Sequence, residues 1–127
     1  MSYDIPPYEQ WIGLGKTLDL DDGQIFYVHK GQGFPVIFIH FYGGNSWWFS
    51  RVIDKFADQY SVYAPDLPVC GQSDTPVLPY DVPDMASSVL EFMDSLGIEY
   101  CHLIGIGGGS MTCVEIAARD PSRVKSL

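Results

Sequence analysis

Basic residues are scarce in this chain. Seven Lys and Arg stand against sixteen Asp and Glu, leaving a formal net charge of −9. Nucleic acid and anionic membrane would be repelled by such a surface, so neither is expected as a partner. Cysteine is sparse too: Cys70, Cys101 and Cys113 are an odd number without a recognisable spacing, and two of them fall in apolar segments. Reduced thiols in a cytoplasmic protein are the expectation from that usage. Apolar runs stay well short of the ~20 residues of a membrane-spanning helix. The start, Met1-Ser2-Tyr3-Asp4-Ile5-Pro6-Pro7, lacks the basic-then-apolar order of a secretory leader. His29, His40 and His102 have no second ligand at metal-site spacing, so no metal or other cofactor is expected.

What is present suffices for a folded core. Hydrophobic residues make up 46% of the 127, and aromatics 14%, which bounds the chain at one domain over residues 1–127, with 1–14 as an N-terminal extension. Lys16–Leu20 and Gln24–Lys30 read as strands joined by the turn Asp21-Asp22-Gly23. Pro35–His40 is a continuous apolar run of the kind covered on both faces in a parallel sheet. Asn45-Ser46 is expected to cap a helix with the stripe Trp48, Val52, Ile53 and Phe56. Ser61–Ala64 is the next strand, followed by a loop rich in Pro, Gly and Asp to about Val82. A helix from Pro83 then carries Met85, Val89, Phe92, Met93 and Leu96 on one side and stops at Gly97. A strand at 101–104, a helix to Arg119 and a strand opening at Arg123 complete the pattern. Such alternation implies right-handed βαβ units and an α/β class, with a mostly parallel sheet, an antiparallel N-terminal hairpin and helices on both faces.

Three groups of residues, in order, carry a resemblance. They are Gly33-Phe34-Pro35-Val36-Ile37-Phe38-Ile39-His40; Ala64-Pro65-Asp66-Leu67-Pro68 with Gly71-Gln72-Ser73-Asp74-Thr75-Pro76; and His102-Leu103-Ile104-Gly105 with Ala117-Ala118-Arg119-Asp120-Pro121-Ser122-Arg123-Val124. Together they resemble the N-terminal half of the α/β-hydrolase fold family, and cover nearly all of the chain from Asp19 onward. The resemblance implies descent from hydrolases of small ester, acyl or similar substrates. It also implies a G-x-S-x-G nucleophile elbow between the strand at 101–104 and the following helix. Here that stretch is Gly105-Ile106-Gly107-Gly108-Gly109, and Gly107 stands at the nucleophile position.

Other departures accompany it. Phe41 replaces the glycine that usually follows the family's strand-ending histidine, and Pro68-Val69-Cys70-Gly71 stands for Pro-Gly-x-Gly. The family's domain runs to about twice this length, placing its acid and histidine beyond Leu127. Ser110 is the one alternative nucleophile, but it lies eleven residues before Pro121, where Gly107 keeps the family's fourteen. It is better read as a core-facing or capping hydroxyl about one turn inside the helix. By resemblance, the oxyanion hole would use the backbone N–H groups of Gly108 and Tyr42. Backbone donors survive loss of the nucleophile as an anion- or carbonyl-binding nest. The three successive glycines are equally read as allowing close packing of helix on strand. His40 matches the family's loop-orienting histidine; with Phe41, Trp47 and Trp48 it borders the expected pocket, one tryptophan anchoring the helix to the sheet. Asp66 is read as shaping its loop.

The function expected is thus that of an α/β-hydrolase-like pseudoenzyme, inactive as written, whether by natural decay or by an exchange made to trap a ligand. Alternatives are a non-catalytic small-molecule binding module and one half of a split hydrolase. In either case a second copy or a partner chain is expected at the edge of a truncated sheet. A nucleotide-binding reading of Gly105–Ser110 fits worse. A dinucleotide loop follows the first strand, with an acid some ~20 residues on, whereas this one follows the fifth.

Overall fold

The N-terminal hairpin forms as its alternation and turn demand. In the computed structural model, which describes residues 4–76 and 80–127, Lys16–Leu20 (β1) pairs antiparallel with Gly23–Lys30 (β2), from Lys16 opposite Tyr27 to Leu20 opposite Gly23. Residues 1–3 of the expected leader-free start, and 77–79 of the long loop, lie outside the described residues. Phe34–Ile39 (β3), Tyr60–Pro65 (β4), Cys101–Gly105 (β5) and Val124–Ser126 (β6) complete one sheet, ordered β1-β2-β4-β3-β5-β6. The neighbours among β3 to β6 run parallel, and β2 joins β4 antiparallel.

Strand β3 is apolar throughout because both of its faces are covered. Ile37 and Ile39 enter the core formed with Val82–Ser95 (α3) and Gly108–Arg119 (α4). Val36 and Phe38 enter a second core with Phe49 and Ile53 on the opposite face. Helix α3 follows from its sequence: Asp81 and Asp84 form a reciprocal capping box and Pro83 sits in the first turn. Met85, Val89, Phe92 and Met93 are buried along one stripe. Arg119, at the end of α4, reaches back to the Ser87 hydroxyl (2.6 Å) and the Pro83 carbonyl (3.0 Å), fixing α4 beside α3. No helix among the described residues is long and apolar enough to cross a membrane.

One expectation is corrected, and one segment gains structure that the sequence did not announce. The helix expected after Asn45 is instead a 3-10 turn, Ser46–Phe49, followed by a short helix Ile53–Ala57 (α2). Asn45 does cap it, accepting from the Trp47 N–H. A three-residue period turns Ser46 and Phe49 inward and Ile53 after them, leaving Trp48 56% and Val52 40% exposed. Residues 8–13, read as part of an extension, form a helix (α1, Tyr8–Gly13) whose Trp11 is 1% exposed. The Trp11 indole donates to the Ser46 hydroxyl at 3.0 Å, and that of Trp47 to the Pro6 carbonyl at 2.8 Å.

Candidate functional site

The residues singled out by sequence gather where β3, β4 and β5 end. After β5 the chain passes through Ile106 and Gly107 and enters α4 at Gly108. Gly107 has φ +56° and ψ −126°. A side chain there carries a strain of about 1–3 kcal/mol, which glycine avoids. Its neighbours are glycine for a different reason, which is space. A Cβ on Gly105 would lie 2.7 Å from the Gly109 carbonyl, and one on Gly109 would lie 2.3 Å from that of Ile39. The Ile106 N–H also donates to the Ile39 carbonyl at 3.1 Å, so the elbow is pressed onto β3 by backbone alone.

The N–H groups of Tyr42 and Gly108 have no acceptor among the described residues. The Tyr42 ring lies over Gly108, where a Cβ would come within 2.6 Å of it, and its hydroxyl meets Thr112 Oγ1 of α4 at 3.0 Å. Phe41 sets its Cβ 3.1 Å from where one on Gly107 would stand. Its ring packs edge-on against Trp48, centroids 5.3 Å apart. Ser110 lies in the first turn of α4, its hydroxyl donating to the Gly107 carbonyl at 2.6 Å.

His40 is wholly buried. Its Nε2 accepts the Leu67 N–H at 2.9 Å, which places the proton on Nδ1, donating to the Phe41 carbonyl at 2.7 Å. Burial holds its pKa below the usual histidine value, against the raising effects of the Phe41 carbonyl and the Asp66 charge. A neutral ring joining two loops is the outcome. Asp66 is also buried: Oδ1 accepts the Ser46 N–H at 2.7 Å and Oδ2 the Gln72 N–H at 2.8 Å.

Gly107, Gly108, Tyr42, Phe41 and Trp48 therefore come together, Trp48 through its contact with Phe41. Trp47 packs edge-on against Trp48, centroids 6.3 Å apart, and reaches away toward Pro6 and Tyr8. His29 and His102 stay in the sheet, bonded to the hydroxyls of Ser61 and Ser126. Cys70, Cys101 and Cys113 are buried free thiols, and burial pushes the latter two up to about 12. Among the described residues no three His, Cys, Asp or Glu stand together as a metal site. The Tyr42–Thr112 clasp had no sequence signal; the bulk at 42 gave no hint of where its hydroxyl would land.

The model of the alpha/beta hydrolase fold matches residues 35–127, and the chain belongs to that family. Among its relatives, the dihydrolipoyllysine-residue acetyltransferase component of an acetoin cleaving system from Cupriavidus necator is 38% identical over 112 residues, covering 86% of this chain and 29% of that protein. A soluble epoxide hydrolase of a Corynebacterium species is 34% identical over 104 residues, covering 82% and 36%. An N-acyl homoserine lactonase, solved as a serine-to-glycine variant with N-hexanoyl homoserine lactone, superposes with a TM-score of 0.80. It is 28% identical and covers 85% of this chain and 42% of its own. The chain thus spans well under half the length of these relatives.

Proposed function

We propose that this chain is a hydrolase-derived binding protein that holds a small acyl or carbonyl ligand at its elbow and does not hydrolyse it. The observation that carries this reading is Gly107, in the elbow conformation at φ +56° with no side chain to attack from. The family's covalent route needs a nucleophile there. Ser110 is a poor substitute, since it lies in the first turn of α4 with its hydroxyl spent on the Gly107 carbonyl. The N–H of Gly108 at the start of α4 and that of Tyr42 in the loop after β3 are suited to a carbonyl oxygen or anion. The lactonase variant supports the ligand class, because a serine-to-glycine protein of this fold was solved with an acyl ligand.

The test pairs binding with turnover. N-hexanoyl homoserine lactone, titrated while amide resonances are followed, should shift Tyr42 and Gly108, and should be recovered intact. No p-nitrophenyl acetate hydrolysis above the buffer rate is expected. Turnover that disappears in Ser110→Ala would overturn the non-catalytic reading, and unmoved resonances at millimolar ligand would overturn the binding one.

A second reading is one half of a split hydrolase. Among the described residues strand β6 is paired only with β5, beside a cleft of about 390 Å³ lined by Val36, Phe56, Tyr60, Ile104 and Leu127. A second copy or a different chain would cover it. The composition of the native assembly decides: copies of one chain indicate self-association, and an added chain bearing an acid and a histidine indicates a split enzyme. A monomer at high micromolar concentration removes both.

A further inference from the structure

We infer that Phe41 and Gly107 are a mutually dependent pair, so that the vacant nucleophile position is built into the loop facing it. A lone exchange at 107 would leave its surroundings fitted to the side chain it had lost. The surroundings here are fitted to glycine. The atom nearest a side chain at 107 is the Phe41 Cβ, at 3.1 Å, a separation that one of the two has to widen by a few tenths of an ångström. Rotation of Phe41 does not move its Cβ.

Neither backbone is free to yield. The Phe41 carbonyl accepts from both the His40 ring (2.7 Å) and the Gly44 N–H (3.0 Å). Its ring is wedged between Trp48 and Gly44, where a Cβ on Gly44 would lie 2.9 Å from the ring tip. On the other side, Gly105 and Gly109 pack against neighbouring backbone with no room for a methyl group. Placing a serine at 107 therefore meets two separate penalties, one from the positive φ and one from residue 41. Return of a nucleophile requires a change at 41 as well as at 107. The pair stands on the geometry of the elbow and holds whether or not a ligand binds there.

The decisive point is that the obstacle is Cβ and not the ring. Gly107→Ser and Gly107→Ala are compared by urea unfolding in three backgrounds: native, Phe41→Ala and Phe41→Gly. In the native and Phe41→Ala backgrounds the unfolding equilibrium constant should rise by roughly a hundredfold, and in Phe41→Gly by only about tenfold, the strain of positive φ alone. Equal effects in all three backgrounds would overturn the pair, and equal relief by alanine and glycine would assign it to the ring. Should Phe41→Gly prove too unstable, Gly107→Ala in the native background gives a second reading. Amide resonances of Phe41 and Tyr42 should then move more than those of Ser110 and Met111, and shifts confined to α4 would overturn the inference.

Discussion

The loop after β4 and the turn after β5 lie at the same end of the sheet and are held by opposite means. The first is held by what its side chains do. Both oxygens of Asp66 accept backbone N–H groups, its own carbonyl accepts the Ser73 hydroxyl at 2.6 Å, and that hydroxyl takes the Phe26 N–H at 2.8 Å. The second is held by what its side chains omit, since Gly105 and Gly109 allow backbone to touch backbone. The first is therefore open to damage by removal of atoms at Asp66 or Ser73, and the second by addition of atoms at Gly105 or Gly109. The absence of a side chain at the centre of the elbow is thus compatible with an intact frame around it. The frame of the elbow does not depend on a side chain at its centre.

Adding an atom should do the most damage. Gly109→Ala drives a methyl group to within 2.3 Å of the Ile39 carbonyl and 2.4 Å of that of His40, contacts that only backbone movement relieves. A loss of at least about 3 kcal/mol is expected in urea unfolding; a near-neutral variant would show that the elbow is loosely seated. Removing atoms comes next. Asp66→Ala orphans the Ser46 and Gln72 N–H groups and should lose about 2–3 kcal/mol, with faster amide exchange at Gln72. Unchanged exchange there would mean that the loop does not depend on the carboxylate.

The smallest effect is a titration. His40 is held below its ordinary value of 6.5, chiefly by burial, and so is His29, by burial and by Lys16. The unfolded chain then binds more protons just below 6.5. Stability should be full above that pH, fall as pH drops through it, and level off beneath the folded values. Unfolding midpoints from pH 7.5 to 5.5 check this, and the slope should be shallower in His40→Gln. A flat profile would mean that the ring bridging Phe41 and Leu67 is not neutral.

Much of this arrangement was legible in the sequence. Strand β3 announced itself by an unbroken apolar run, and α3 by a stripe between a start at Pro83 and a stop at Gly97, because long elements repeat their pattern often enough to be read. Helix α1 was not legible: six residues with one buried side chain, Trp11, contain no period. The stripe through Trp48 and Val52 failed because a 3-10 turn has a different period from the helix assumed. At the site, Gly107 was found by its spacing to Pro121, and the loop roles of His40 and Asp66 by resemblance. The fit of Phe41 against Gly107 and the reach of Tyr42 to Thr112 are distances between remote segments, which no local pattern encodes.

The order of the strands also has a reading in time. Strands β2 and β3 are consecutive in the chain but not neighbours in the sheet, for β4 lies between them. During synthesis both emerge with an edge unfilled, and both wait for Tyr60–Pro65 to insert. Strand β3 waits longer still, because its other neighbour, β5, arrives only at Cys101. The most apolar strand of the molecule is therefore the one exposed for the greatest stretch of translation, and the nascent chain is at its most aggregation-prone before the elbow has been made.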